Sequence, residues 1–212
     1  EIRKSSEFTM KNLTGSMSYS IIVDSGKTDG IKEPAFLKEI ERFYVEYQDA
    51  FPHDVRHMTS LLDSIIRYNK ILDNKEEVPH NRELSAQYLL LYSMSLPQGM
   101  EITDRMDFDQ RKLRVTALTN IVDTSKDIKM IRFAQNWWAK TAYKAEVTGQ
   151  TSMYAFMQKD ITDTLIVSLS LTIIIVSLMM LLIFRRLKIL WILLLPNILP
   201  VVLVLGVMGW LG

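Results

Sequence analysis

Two runs without a charged residue close this chain, and they constrain it more than any other feature. Thr164 to Phe184 is 21 residues, rich in Leu, Ile and Val, and Ile189 to Gly212 is 24 residues. Between them stand Arg185-Arg186-Leu187-Lys188. An α-helix needs about 20 apolar residues to cross a hydrocarbon core roughly 30 Å thick. Only helices and closed barrels satisfy their own backbone in lipid, and these runs lack the alternation of barrel strands. The tail therefore predicts a two-helix transmembrane hairpin with a basic turn.

The turn sets the orientation. Short cytoplasmic loops carry an excess of Lys and Arg, whereas long domains translocate largely regardless of charge. Arg185, Arg186 and Lys188 are thus expected on the cytoplasmic side. Residues 1–163 are expected on the extracytoplasmic side of an integral protein of a bacterial or archaeal cell membrane. All 24 acids lie at or before Asp163, with 22 of the 25 Lys and Arg residues, so this part is near −2. A nucleic-acid partner would want a positive stripe, and the balance argues against one. Cysteine is absent, which excludes thiol catalysis and thiolate metal sites. The chain begins at Glu1 with no apolar export signal, so we expect a fragment preceded by at least one membrane span.

Ahead of the hairpin the pattern is mixed. Met17, Tyr19, Ile21 and Val23 alternate with serines, as in a strand. Asp24-Ser25-Gly26 and Thr28-Asp29-Gly30 supply turns, and Pro34 suits a first helical turn. Phe36, Leu37, Ile40, Phe43, Tyr44, Tyr47 and Phe51 follow at helical spacing until Pro52. Val55–Thr59 completes a β-α-β unit. Residues 61–110 look inserted: a weak helix over Leu61–Leu72, a polar loop, and a helix over Glu83–Met94 capped by Asn81. Its apolar stripe is Leu84, Tyr88 and Leu91, widened by Leu89, Leu90 and Tyr92. Leu113, Val115 and Ala117 mark another strand. Thr124 and Asp127 fit a capping box. Ile128, Ile131, Ala134, Trp138 and Ala142 form the stripe of the next helix, and Ala145–Thr148 the last strand.

Two β-α-β units predict an α+β domain over 1–150, a small sheet with helices on one face in a ferredoxin-like arrangement. Thr151 to Phe184 holds neither Gly nor Pro. It reads as one helix of 34 residues, roughly 50 Å long, outreaching the bilayer by about four turns. Residues 151–185 thus join the outer domain rigidly to the first span, and 189–212 form the second.

Several segments, in this order, resemble the RND exporters of the lipid-exporting, MMPL- and Patched-related branch. They are Leu13-Thr14-Gly15-Ser16, the Asp-Gly-Ile-Lys-x-Pro run at 29–34, Gln87–Tyr92, and Val147-Thr148-Gly149-Gln150. Phe184–Lys188, Leu195-Pro196-Asn197-Ile198-Leu199-Pro200 and Met208–Gly212 extend the likeness. The resemblance implies a protein of about twelve spans in two halves, this segment being the second porter domain with spans eight and nine. It implies energy from proton flow through acidic residues in spans four and ten, neither of which is present. Residues 164–212 contain no acid, so a coupling carboxylate is expected elsewhere.

Candidate sites follow from both readings. Pro196 and Pro200 interrupt the second span and predict a kink, which either shapes packing or opens the helix beside a substrate path. Gly206 and Gly209 allow close helix contact, and Ser168, Ser170, Thr172 and Ser177 can bond back to their own helix or across helices. Flexible Met side chains suit varied greasy ligands, although core filling explains them too. The candidate substrate surface is therefore Tyr88, Tyr92 and Met94 with Met153 and Met157. His53 and His57 lack a third ligand, Asp104, Asp107 and Asp109 lack the rest of a calcium loop, and no catalytic residue or cofactor is expected. Trp137-Trp138 reads as one core and one surface aromatic. The expected partners are the rest of the transporter, a lipid or hydrophobic substrate, the membrane and a second copy in a homo-oligomer. The alternative function is an extracytoplasmic ligand-sensing domain of a membrane signalling protein, although a four-residue inner turn leaves no room for an output module.

Overall fold

Alternation on the strands and helical stripes between them are what the computed structural model builds on. It describes residues 15–97 and 102–184, with Ser5, Phe8 and ten residues between Leu195 and Trp210. The chain divides into two compact units, Glu1–Gln158 and Lys159–Gly212.

In the first unit, which is mixed α/β, β1 (Met17–Asp24), β2 (Val55–Thr59), β3 (Lys112–Thr119) and β4 (Lys144–Thr148) form one antiparallel sheet with the order β2-β3-β1-β4. Helix α1 (Pro34–Ala50) connects β1 to β2, and α4 (Thr124–Trp138) connects β3 to β4. Tyr19, Ile21 and Val23 of β1 and Leu113, Val115 and Ala117 of β3 are buried on one face of the sheet. They share a core with Phe36, Leu37, Ile40, Phe43 and Tyr47 of α1 and Ile128, Ile131, Ala134 and Trp138 of α4. Each such large side chain contributes about 1.5–3 kcal/mol by leaving water. Phe43 packs its ring 5.0 Å from Trp137 and 5.1 Å from Trp138.

Both tryptophans are buried, which corrects the expectation of one surface aromatic. Trp137 is covered because its indole N–H donates to Glu46 at 2.5 Å and Arg42 lies 4.9 Å over its ring. A salt-bridged arm of α1 therefore closes over it. Ala142 is exposed, since α4 ends at Trp138.

The inserted segment is a helix pair that packs on itself, α2 (Leu61–Asp73) and α3 (Arg82–Ser95). Helix α2 is better specified than its apolar pattern suggested. Ser60 caps it by accepting from the Leu62 amide, Asp63 accepts from the Ser60 amide at 2.7 Å, and Asn74 ends it at φ 57°. Asn81 caps α3 as expected. The buried stripe of α3 is Ser85, Tyr88 and Leu89, not the line through Leu91, which is exposed. A small serine at that position lets the backbones of α2 and α3 approach. The cap of α4 also differs from expectation: Asp123, not Thr124, accepts from the Lys126 amide at 3.0 Å, and Asp127 is engaged elsewhere.

Helix α5 runs from Gln150 to Phe184, 35 residues without a break and about 52 Å long. Gly149, at φ +109°, turns β4 into it. Beyond Asp163 α5 carries no charge and is largely exposed; its most apolar 18 residues have a mean hydropathy of 2.8, and by length and composition the helix could cross a membrane. Four hydroxyls along it are satisfied within the helix: Ser168, Ser170, Thr172 and Ser177 donate to carbonyls three or four residues back at 2.6–3.1 Å. These four hydroxyls thus need no partner outside the helix, as lipid would require. Pro200, Gly206 and Gly209 lie in helical backbone, while Arg185, Arg186, Lys188 and Pro196 lie outside the described residues.

Candidate functional site

Two places in the first unit combine unusual chemistry with a position near the root of α5. One is buried. Tyr19, central on β1 and wholly buried, donates its hydroxyl to Asp127 in the first turn of α4. Burial, then this bond, pushes the phenol pKa up, so it remains a donor. Burial also raises the Asp127 carboxyl, and the bond from Tyr19 offsets part of that rise. The pair ties the sheet to α4. Its role reads as structural, since it joins a core strand to a helix end.

The other place is open. On the sheet face opposite the core lie Ser20 and Ile22 of β1, Lys112, Arg114 and Thr116 of β3, and Thr148 of β4. The register brings them together: Ser20 is paired with both Thr116 and Thr148, and Ile22 with Arg114. Alternation on the strands makes this the uncovered side. A short segment, Thr103–Asp107, flanks it. It is held by the Arg114 amide donating to the Arg105 carbonyl at 2.8 Å and by the pairing of Met106 with Leu113. All of these except Thr116 line a trough of about 510 Å³ that reaches Gly149 at one end. A second hollow of about 150 Å³ continues past Asp104, Arg105 and Arg114 to Thr59 and Ser60.

Arg114 dominates the trough. Its Nε and Nη2 donate to Ser20 Oγ at 3.1 and 2.8 Å, and Nη1 lies 3.5 Å from the Asp104 carbonyl. Arg105 lies 6.0 Å over the Tyr92 ring. Among the described residues, no carboxylate lies within ion-pair distance of either arginine. Asp107 is occupied, accepting from the Arg111 and Lys112 amides at 2.7 and 2.8 Å.

The sequence-derived candidates are scattered. Tyr88 is a core residue, 3 % exposed, with its hydroxyl donating to Asn69 at 3.2 Å. It presents nothing to a ligand. Tyr92 is half-buried beneath Arg105, and Met94 is 75 % exposed. Met153 and Met157 lie on the outer side of α5, 59 % and 47 % exposed. Ser152 and Ala155 are its buried side, and Thr124 donates to Gln158 at 3.0 Å where α5 leaves the domain. His53 and His57 are both exposed, and among the described residues no group of three His, Asp or Glu is placed to hold a metal.

Sequence reasoning missed the trough, because Arg114 fits the β3 alternation as an ordinary outward-facing polar residue. No known family model matches the chain, and no curated protein sequence matches it.

Proposed function

We propose that this chain is part of a proton-driven exporter of the RND type that moves lipids or other hydrophobic compounds across a cell membrane. Residues 1–150 serve as an outer porter domain that guides or gates substrate, and residues 164–212 as a pair of neighbouring spans. One observation carries the reading. Helix α5 starts within a folded α/β domain and ends in a charge-free apolar stretch, with no break between.

Other features support it. The order β2-β3-β1-β4, with antiparallel neighbours and a helix in each crossover, fits a ferredoxin-like split β-α-β arrangement. The basic turn Arg185–Lys188 between two apolar runs fits a hairpin entered from outside. The motif order described above fits the lipid-exporting branch. The lack of acid over 164–212 is consistent with proton coupling in other spans of the same transporter, which would be the chief partner alongside the membrane and the greasy substrate. In this reading α5 carries motion between the spans and the outer domain, because a continuous helix transmits displacement that a linker would absorb.

The test compares export by the intact transporter with export by one whose residues 17–148 are replaced by a short Gly-Ser linker. Loss of export with the spans still inserted is expected. Undiminished export would overturn the role given to the domain.

A further inference from the structure

We propose that the trough on the open sheet face is an oxyanion site. It takes a phosphate or carboxylate group, free or carried on a short apolar stem, beside the root of α5. The proposal deepens the exporter reading and, in the cell, rests on it.

The argument begins with how Arg114 is held. A single oxygen, Ser20 Oγ, takes both Nε and Nη2, which fixes one edge of the guanidinium. The remaining edge, Nη1 with the second hydrogen of Nη2, has only the long 3.5 Å approach to the Asp104 carbonyl. A guanidinium edge with two parallel donors matches two oxygens of a carboxylate or phosphate. Ser20 accepts twice, so its own hydroxyl hydrogen is left to donate. Arg105 supplies a second cation at the same place, and the hollow beyond shares both arginines.

Charge favours the same ligand. The lining holds Arg105, Lys112 and Arg114 against Asp104 and Asp107, and Asp107 is already bound to two amides. Thr148 and Gly149 line the end that leads into the first turn of α5, which contains no acid. Amide groups at a helix N-terminus carry partial positive charge that favours anions. Ile22 and Met106 give the trough an apolar wall, which suits a stem attached to the charged group. Its volume falls within the roughly 300–1,000 Å³ usual for small-ligand pockets.

Isothermal titration of the intact chain in uncharged detergent micelles tests this with hexyl phosphate, inorganic phosphate and hexanol. Hexyl phosphate is expected to bind, more weakly as salt is raised. Arg114→Gln should weaken it about tenfold or more, since a hydrogen-bonded charge pair is lost. Arg114→Lys keeps the charge but loses the fork and should also weaken binding. Arg105→Gln, at an exposed position where the side chain overlies the Tyr92 ring at 6.0 Å, should weaken it several-fold with the fold intact. Lys126→Gln, a charge change outside the trough, should do nothing. Equal binding of inorganic phosphate assigns a free oxyanion, and tighter binding of hexyl phosphate assigns a headgroup on a stem; either supports the site. Hexanol binding as well as hexyl phosphate would overturn it, as would wild-type binding by both Arg105→Gln and Arg114→Lys. The export assay and this titration fail separately: binding without any export role sinks the exporter reading alone, and export without binding sinks the site alone.

Discussion

Tyr19 and Asp127 show how one contact can carry two opposite pH dependences. Asp127 sits above its ordinary carboxylate pKa because burial outweighs the bond from Tyr19. A carboxyl raised on folding contributes stability below its unfolded pKa and loses that contribution as pH rises through the folded value. Tyr19 acts the other way, since its hydroxyl favours the ionised acid. Its contribution is present above the carboxyl pKa and fades as pH falls through it. Tyr19→Phe leaves a half-buried carboxylate without its donor and should cost about 1–3 kcal/mol at neutral pH. Urea melts at neutral and acidic pH measure both terms. A cost that stayed constant into acid would mean that the hydroxyl stabilises the fold by packing alone.

Helix ends are where local pattern and final structure part company. Alternation and helical spacing are sufficient for β1, α1 and β3, because each of these buries one face and exposes the other, while the length of α5 follows from the lack of Gly and Pro over Thr151–Phe184. The cap of α4 was misplaced by one residue because Asp123 and Thr124 are both good caps. The choice between them depends on Tyr19, distant in sequence, which takes Asp127 out of the capping box. Tyr88 lies on the expected apolar stripe, and its stacking on Tyr68 with its hydrogen bond to Asn69, both on α2, keeps it in the core instead of on a substrate surface. The trough was hidden for a similar reason: its residues come from β1, β3, β4 and a short segment, joined by a register that no single stretch encodes. The well-capped α2 gives a direct test. Ser60→Ala removes the acceptor for the Leu62 amide and for the Tyr44 hydroxyl, which donates at 2.7 Å. It should cost about 1–2 kcal/mol in a thermal melt. At the start of α5, Gly149→Ala meets no close atom, the nearest being the Ser20 amide nitrogen at 3.6 Å, yet φ +109° is strained for any side chain. Its expected cost is about 1–3 kcal/mol, and a neutral result would mean that this turn can relax to an ordinary geometry.

At the scale of the whole molecule the decisive issue is which side of a membrane each part occupies. The native chain has no cysteine, so any one introduced thiol reports a single position. Met94→Cys places that thiol on a side chain 75 % exposed in the first unit, and Arg186→Cys places it in the basic run Arg185–Lys188. A membrane-impermeant maleimide applied to intact cells should label Met94→Cys at once. Arg186→Cys should react only after the membrane is opened, because short loops rich in Lys and Arg are retained on the cytoplasmic side. The removal of one of three basic residues leaves Arg185 and Lys188, so the probe itself should not invert the proposed orientation. Labelling of Arg186→Cys from outside, with Met94→Cys protected, would place the domain in the cytoplasm. A domain there could not guide a substrate outward, and α5 could not link an outer gate to a proton path. The exporter reading and the meaning given to the long helix would then fall together, while the trough and its arginines would remain to be explained as a site on the inner side.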